Sequence, residues 1–178
     1  MNNHKKTNWY VLTGGPSSGK TTTVNLLKKL GYRTTIEHAR HYIDTKRVAG
    51  KTTEEIKGNQ IVFQKGILDM QIEEEDNLSS EEVIFLDRAL PDARAYYKFL
   101  KIPEDEQLTR AVENSSYKKI FILDPLPLIN DYARTEDEEA QKKIHNLIVE
   151  VYDSLPAPIV HVPLLPPNER VDFILKHL

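Results

Sequence analysis

Apolar and polar positions alternate along the chain with two different periods. Short, continuous apolar runs are followed by longer stretches in which apolar residues recur every three or four positions. The first pattern is typical of strands that are buried on both faces, and the second is typical of amphipathic helices. Because the two patterns take turns along the chain, they predict an α/β fold, with a parallel sheet covered by helices on both faces.

The apolar runs and the helical periods give the predicted elements. Strands are predicted over residues 9–12, 32–37, 83–87, 119–124 and 158–163. Helices are predicted over residues 24–30, 37–48, 52–76, 92–100, 104–114, 140–155 and 171–178. No repeat or linker divides the chain, so we expect one domain over residues 1–178. It would include a flexible tail (1–7), a helical insertion (51–77) and a lid (125–136).

Composition narrows the class of protein. The chain has 178 residues, of which 39% are apolar and 29% are charged, and this length and balance suit one globular domain. A net charge of −3 gives no reason to expect nucleic acid or an anionic membrane as the main partner. With no cysteine, the chain has no disulfide or thiolate zinc site, which fits a cytoplasmic location. No apolar run approaches the ~18 residues that a membrane span needs.

The residues from Leu12 to Thr23 read LTGGPSSGKTTT and contain the pattern G-x-x-x-x-G-K-[ST]. Such a loop turns its backbone N–H groups inward around phosphate oxygens, with the lysine reaching the β and γ phosphates and the hydroxyl binding Mg²⁺. An apolar run precedes the loop and a helical period follows it, as the motif requires. The sequence therefore predicts ATP and Mg²⁺ as cofactors. The expected nucleotide contacts are Gly15, Pro16, Ser17, Ser18, Gly19, Lys20, Thr21 and Thr22.

Asp87 ends the third predicted strand and is the candidate carboxylate for the metal. Mg²⁺ keeps several waters, so Asp87, the Thr21 hydroxyl and the phosphates would be sufficient to hold it. The alternative is that Asp87 caps the next helix or pairs with Arg88.

Glu37 ends the second predicted strand. A carboxylate at this position can take a proton from an incoming hydroxyl or from water. An ion pair with Arg40, one helical turn away, is an equally good explanation of the spacing. His38 and His41 do not form a metal motif, and we expect them to be partly buried or at the surface.

Two arginines are candidates for stabilising a transferring phosphoryl group. Arg88 follows Asp87 directly, and Arg134 lies in the polar segment predicted as a lid. Phosphoryl transfer is catalysed mainly by positioning and by positive charge against the phosphate oxygens. An exposed Arg134 paired with Glu136 or Asp137 is the alternative.

The remaining candidates lie on the helix after Asp87. Asp92 and Tyr96 are expected near a substrate, although the neighbouring Tyr96 and Tyr97 also suit simple core packing. The acidic run Glu73–Asp76 is interpreted as the solvated end of a helix, not as a metal site.

Six segments, taken in order, resemble those of a known family. They are GGPSSGKTT, EHAR, FLDRALPDARAY, YKKIFIL, ARTE and VPLLPPNERVDFIL. In this order they resemble the small AAA-type ATP-binding domain family that includes the ribosylnicotinamide kinase domain of the bacterial NAD regulator. More distantly, they resemble deoxynucleoside kinases. The resemblance runs from about Tyr10 to Leu178.

The resemblance implies a three-layer P-loop NTPase fold with five parallel strands in the nucleotide-kinase order 2-3-1-4-5. It implies that Glu37 is the base, that Asp87 lies on the metal side and Arg88 on the phosphate side, and that Arg134 is the lid arginine. Glu37, Arg40, Arg88, Asp92 and Tyr96 would surround the acceptor. No residue of the chain matches one that reads a particular base or ring.

Three functions remain open at this stage. The first is a Mg²⁺-dependent kinase acting on a small hydroxyl-bearing metabolite, nucleoside- or nucleotide-like. The second is an NTP hydrolase in which Glu37 or Asp87 positions water, and the third is a nucleotide-gated binding module with little turnover. The helical insertion would either roof an acceptor pocket or present a partner surface.

Overall fold

The fold is described from a computed structural model, which covers residues 6–133 and 135–178. Within these residues, five strands form one sheet in the order β2-β3-β1-β4-β5, and every neighbouring pair is parallel. The strands are β1 Trp9–Thr13, β2 Arg33–Thr34, β3 Ile84–Asp87, β4 Lys119–Leu123 and β5 Ile159–Val162. The helices are α1 Lys20–Lys29, α2 His38–Val48, α3 Thr53–Gly58, α4 Gln60–Asn77, α5 Leu90–Leu100, α6 Glu106–Asn114, α7 Glu138–Asp153 and α8 Pro167–Lys176. The predicted sheet, its strand order and the covering helices are confirmed.

Alternate residues of the central strands pack into two separate cores. Trp9 and Val11 lie in a cluster with α5 and α7, whereas Tyr10 and Leu12 lie in a cluster with α1 and α8. Successive side chains of a strand point to opposite faces of the sheet. Helices on both sides therefore explain why the strand sequences are apolar without interruption.

The second predicted strand is much shorter than expected. Pairing ends at Thr34, and residues 35–37 form the loop that leads into α2. The Thr35 hydroxyl accepts a hydrogen bond from the N–H of Asp87 at 2.9 Å, so a side chain continues the contact that the backbone pairing had begun. As an edge strand, β2 needs no further length, and this bend carries Glu37 towards the site.

The single helix predicted over 52–76 is wrong in one respect, because it is broken at Asn59. Thr52 caps α3 in a capping box with Glu55, which confirms the predicted start. Asn59 has extended backbone angles, and its side chain accepts a hydrogen bond from the N–H of Val62 to start α4. Gly58 is a poor helix former, and the Asn59 cap offers the backbone another conformation, so the two favour the break.

The acidic run at the end of α4 is not simply solvated, which corrects the sequence interpretation. Glu75 accepts hydrogen bonds from the Tyr117 hydroxyl, at 3.0 Å, and from the N–H of Leu90, at 3.3 Å. Burial raises the pKa of Glu75 to about 8. Oε2 of Glu74 lies 2.6 Å from Nε2 of His38, which is buried, while His41 is exposed.

The predicted tail, residues 1–7, falls mostly outside the described residues. Thr7 is part of the fold, because its hydroxyl donates to the carbonyl oxygen of Ser116 at 2.6 Å. Over the part of the chain that the structure covers, no helix combines the length and the apolar character needed to cross a bilayer.

Candidate active site

The candidate residues converge at the carboxyl edge of the sheet. β1 pairs with β3 so that Leu12 lies beside Asp87, which places the end of β3 next to the loop that follows β1. Ligands of open parallel sheets bind at this edge because the connecting loops gather there. The register therefore brings the phosphate loop (residues 14–21) and the Asp87 carboxylate to one place.

The phosphate loop depends on glycine at two positions. Gly14 has a φ of 139°, and a Cβ atom there would lie 2.6 Å from the carbonyl oxygen of Leu123. Gly19 has a φ of 78° and comes immediately before α1. Both values lie in the region that glycine adopts most easily, so the loop turns sharply at its start and again where the helix begins.

Lys20 lies across the phosphate loop. Its Nζ donates to the carbonyl oxygens of Gly15, at 2.8 Å, and Gly14, at 3.2 Å, and to the Ser18 hydroxyl, at 3.0 Å. The residue is only 4% exposed. The ammonium group is thus held inside the turn, next to the N-terminus of α1.

The back of the loop is held by α7. The N–H of Gly15 donates to Nδ1 of His145 at 3.2 Å, and Nε2 of Gln141 donates to the carbonyl oxygen of Pro16 at 2.8 Å. Burial lowers the pKa of His145, which favours the neutral ring that can accept this bond. The Gly15 amide thus faces α7 and Pro16 has no N–H, so the amides from Ser17 to Thr22 remain as the candidate phosphate donors.

Glu37 joins the phosphate loop to the rest of the site. Its Oε2 accepts a hydrogen bond from the Thr21 hydroxyl at 3.1 Å and lies 3.6 Å from Nε of Arg40. The ion pair that the spacing suggested is therefore present, together with a contact to the loop. Nη2 of Arg40 also lies 2.9 Å from Oδ2 of Asp131.

Asp87 fits the role of a metal ligand. It is 2% exposed, and its Oδ1 has no hydrogen-bond partner among the described residues. Burial, together with the nearby charge of Glu37, raises the pKa of Asp87 to about 6. A buried carboxylate oxygen without a partner is costly, and a hard cation beside the Thr21 hydroxyl would satisfy it. The residues present therefore fit Mg²⁺.

Arg88 is fixed in place by the first two turns of α5. Its backbone has a φ of 67°, and its side chain donates to Oδ1 of Asp92 at 2.8 Å and to the Tyr96 hydroxyl at 3.2 Å. Burial raises the pKa of Tyr96 to about 12, so this hydroxyl stays protonated. Tyr97, in contrast, is a core residue.

Asp92 is at the centre of the hydrogen bonds that hold Arg88. Besides the bond from Arg88, the Asp92 carboxylate accepts hydrogen bonds from the Thr13 hydroxyl at 2.5 Å, the Tyr152 hydroxyl at 2.6 Å and the N–H of Ala89 at 2.9 Å. Both carboxylate oxygens are thus occupied by protein donors. These contacts make Asp92 the residue that orients Arg88. Asp92 also lines the cavity described below, so its contact with a substrate stays a prediction.

A cavity of about 350 Å³ opens beside these residues. Glu37, Arg88 and Tyr96 line one side, and Phe63, Gln64 and Gln71 from α4 line the other. The helical insertion therefore forms a wall of this cavity. Gln71 is 3% exposed, and its Oε1 has no hydrogen-bond partner among the described residues.

Sequence reasoning missed both glutamines of this wall. Gln64 and Gln71 occupy buried positions of α4 next to Phe63 and Ile67, seven residues apart and so on one face of the helix. Two amides on an otherwise apolar helical face were a signal that would have found them. His145 and Arg170, which contact the phosphate loop, carried no such signal.

The predicted lid segment lies between the phosphate loop and α2. At one end the N–H of Ile129 donates to the Ser17 hydroxyl at 3.2 Å. At the other end the Tyr132 hydroxyl donates to Asp44 at 2.7 Å, and its ring lies beneath Arg40 and Arg47. Arg134, the predicted lid arginine, lies outside the described residues.

Comparisons with known proteins identify the family and similar folds. A sequence model of a family described as AAA domain matches residues 9–170. No curated protein sequence matches the chain.

Solved structures share the fold at low sequence identity. Deoxyadenosine kinase from M. mycoides, solved with the products dCMP and dCDP, has a TM-score of 0.66 and 16% identity, with 95% of this chain and 97% of that one covered. NadR in complex with NR has a TM-score of 0.65 and 18% identity, with 97% of this chain and 52% of that one covered. NadR with NAD and AMP-PNP has a TM-score of 0.65 and 18% identity, with 96% and 49% covered.

Proposed function

The chain belongs to the AAA domain family, and from that premise we propose that it is a Mg²⁺-dependent kinase. It would transfer the γ-phosphate of ATP to a hydroxyl of a small, nucleoside-like acceptor. The chain is a P-loop NTPase related to nucleoside kinases and to the NadR kinase domain, and this relation supports the proposal.

One observation carries the proposal. Pro16 of the phosphate loop lines the same cavity as Glu37 and Arg88. An acceptor in this cavity would therefore have a carboxylate and a guanidinium beside it, with the end of the bound triphosphate at the cavity's edge. This adjacency suits direct transfer between two bound substrates, because positioning supplies most of the catalysis of phosphoryl transfer.

Each charged residue then has a role. Lys20 and the amides from Ser17 to Thr22 bind the phosphates, and Thr21 and Asp87 would hold the metal. Mg²⁺, when bound, neutralises charge on the phosphate oxygens. Arg88, fixed by Asp92 and Tyr96, places a guanidinium against the transferring group.

Glu37 is the proposed general base. It takes the proton of the acceptor hydroxyl as that oxygen bonds to the γ-phosphorus, and the bond to the β–γ bridging oxygen breaks to release ADP. Its contacts with Thr21 and Arg40 orient the carboxylate. Arg134 would close over the phosphates from the lid.

The cavity supports an acceptor with a flat, hydrogen-bonding ring. Phe63, Tyr96 and Phe99 supply aromatic surface, and Gln64 and Gln71 supply amides from α4. A volume of about 350 Å³ is at the lower end of the usual range for ligand pockets and suits a nucleoside. The ligands of two similar structures support this class of acceptor: deoxyadenosine kinase holds the products dCMP and dCDP, and NadR holds NR.

The test is an acceptor screen followed by one substitution. Nucleosides, nucleoside monophosphates and ribosylnicotinamide are incubated with Mg·ATP, and products are identified by mass spectrometry. We expect a phosphorylated acceptor together with ADP. With that acceptor, Glu37→Gln should lower kcat by ~10² without weakening ATP binding, because it removes a base but leaves the phosphate loop.

The matched control is Glu75→Gln, which changes a half-buried glutamate that does not line this cavity and should leave kcat unchanged. ADP and free phosphate without any labelled acceptor would identify a hydrolase instead. If Glu37→Gln turns over at the wild-type rate, Glu37 is a structural residue and the proposed mechanism is wrong.

A further inference from the structure

A buried arginine contacts the phosphate loop from behind. Arg170, in α8, is 4% exposed. Its Nη1 lies 3.4 Å from the carbonyl oxygen of Gly19 and 3.3 Å from the Thr23 hydroxyl, and its Nη2 lies 3.0 Å from the carbonyl oxygen of Leu165. All three acceptors are neutral. Among residues 6–133 and 135–178, no carboxylate forms an ion pair with it.

A cation in this position is costly for the fold. Burial lowers the pKa of Arg170, and no carboxylate of the described residues opposes the effect. Buried charges are normally paired, because removing an ion from water carries a large penalty that dipoles offset only partly. An anion bound on the far side of the phosphate loop would supply the missing negative charge.

The Gly19–Lys20 peptide lies between Arg170 and the expected phosphates. The carbonyl oxygen of Gly19 accepts from Arg170 and also from the N–H and hydroxyl of Thr23. In a trans peptide the N–H points away from the carbonyl, so the Lys20 N–H is directed towards the concave side of the loop. It is one of the first N–H groups of α1, which have no partner inside the helix.

Arg170 can reach the Gly19 carbonyl because glycine has no side chain. A Cβ atom at Gly19 would lie only 2.2 Å from Nη1 of Arg170. Two features therefore favour glycine at this position: the positive φ of the backbone and the close approach of the Arg170 guanidinium. The second feature is not part of the loop pattern itself and comes from a residue 151 positions away.

We propose that Arg170 is a positioning residue of the nucleotide site that favours polyphosphates over monophosphates. It fixes the first turn of α1 and places a positive charge behind the Gly19–Lys20 peptide. Donation to the carbonyl polarises the peptide and strengthens its N–H as a donor to phosphate. The effect grows with the negative charge on the ligand. The inference rests on the nucleotide site of the proposed function.

The test compares two ligands that differ in phosphate charge. Dissociation constants for ATP and AMP are measured by calorimetry with the wild type and Arg170→Gln. We expect the substitution to weaken ATP binding about tenfold and AMP binding little, so that the preference for ATP falls about tenfold. An unchanged preference would overturn the proposal. So would an equal fall in the Gln141→Ala control described next, because that variant loses a contact with the loop but no charge.

Gln141→Ala is the matched control, because Gln141 is also buried and also donates to a carbonyl of the loop, but carries no charge. It should leave the preference for ATP unchanged. If Arg170→Gln does not fold, Arg170→Lys decides: the charge is kept, so the preference should stay within threefold of the wild type, and a tenfold fall overturns the proposal. Lys20→Ala separates the two hypotheses. If it binds ATP like the wild type, the nucleotide site itself is wrong.

Discussion

The end of β3 and the first turn of α5 each carry a buried aspartate, and the two carboxylates differ in their hydrogen bonds. Asp92, 1% exposed, accepts hydrogen bonds from Thr13, Arg88, Ala89 and Tyr152. Asp87, 2% exposed, has an oxygen with no partner among the described residues, and burial raises its pKa.

The difference separates a carboxylate that the protein itself satisfies from one that we propose as a metal ligand. Burying a charge is favourable only when it is paired and hydrogen-bonded, and Asp92 meets this condition within the protein. Asp87 does not meet it without a ligand, so the fold accepts a local cost there. Such a cost at a site near Lys20 and Thr21 is expected for a residue kept to bind a cation.

The largest expected effect is on stability, and it distinguishes the two regions directly. Asp92→Ala removes the carboxylate partner of the half-buried Arg88 and the acceptor of three other donors, so the free energy of unfolding should fall by about 3–5 kcal/mol. The melting temperature would fall by roughly 10 °C. Asp87→Ala should cost far less. Equal losses, measured by denaturant unfolding of both variants, would remove the distinction.

The next largest effect is on activity, and here the larger loss is expected at Asp87. Asp87→Asn removes the proposed metal ligand, so turnover should fall by about 10²–10³, equivalent to roughly 3–4 kcal/mol of transition-state stabilisation. The variant should remain folded. Steady-state kinetics over a range of Mg²⁺ concentrations measures the loss. Unchanged turnover at limiting Mg²⁺ would show that Asp87 is not a ligand.

The pH dependence of stability sharpens the same comparison. Burial raises the pKa of Asp87 from its ordinary value of 3.8 to about 6, so the folded protein holds this proton more tightly than the unfolded chain does. Its contribution to stability is therefore lost as the pH rises from about 3.8 to about 6, by roughly 3 kcal/mol in total.

Asp87→Asn has no such proton and should be more stable than the wild type above pH 6 when EDTA removes metal. Melting temperatures of both proteins from pH 4 to pH 8 provide the measurement. Parallel curves would mean that folding does not change the pKa of Asp87.

The smallest effect concerns a single donor to Asp92. Tyr152→Phe removes the 2.6 Å hydrogen bond to Oδ2 but leaves the Ala89 N–H on the same oxygen. The free energy of unfolding should fall by about 1.5–2 kcal/mol, the usual loss for a bond to a charged acceptor. Turnover should fall less than in Asp87→Asn. A larger loss of activity than of stability would give Asp92 a part in the chemistry.

Much of this could be predicted from the sequence, because it depends on neighbours along the chain. The phosphate loop, the strands of the sheet and the position of Asp87 at the end of β3 follow from local spacing. Local spacing also suggested the Glu37–Arg40 pair, which the structure contains. It could not decide whether that carboxylate also reaches Thr21, sixteen residues earlier.

The contacts that distinguish the residues of the site came only with the tertiary structure. Asp92 is satisfied by Tyr152, sixty residues away, and the phosphate loop is held by His145 and Arg170, more than a hundred residues away. The spacing of apolar residues along the chain does not predict such pairs, because they depend on which helix packs against which face of the sheet. By itself the sequence predicted where phosphate would bind, because a short run of residues forms that candidate site. Only the packing of helices decided which buried charges are satisfied and which are left for a ligand.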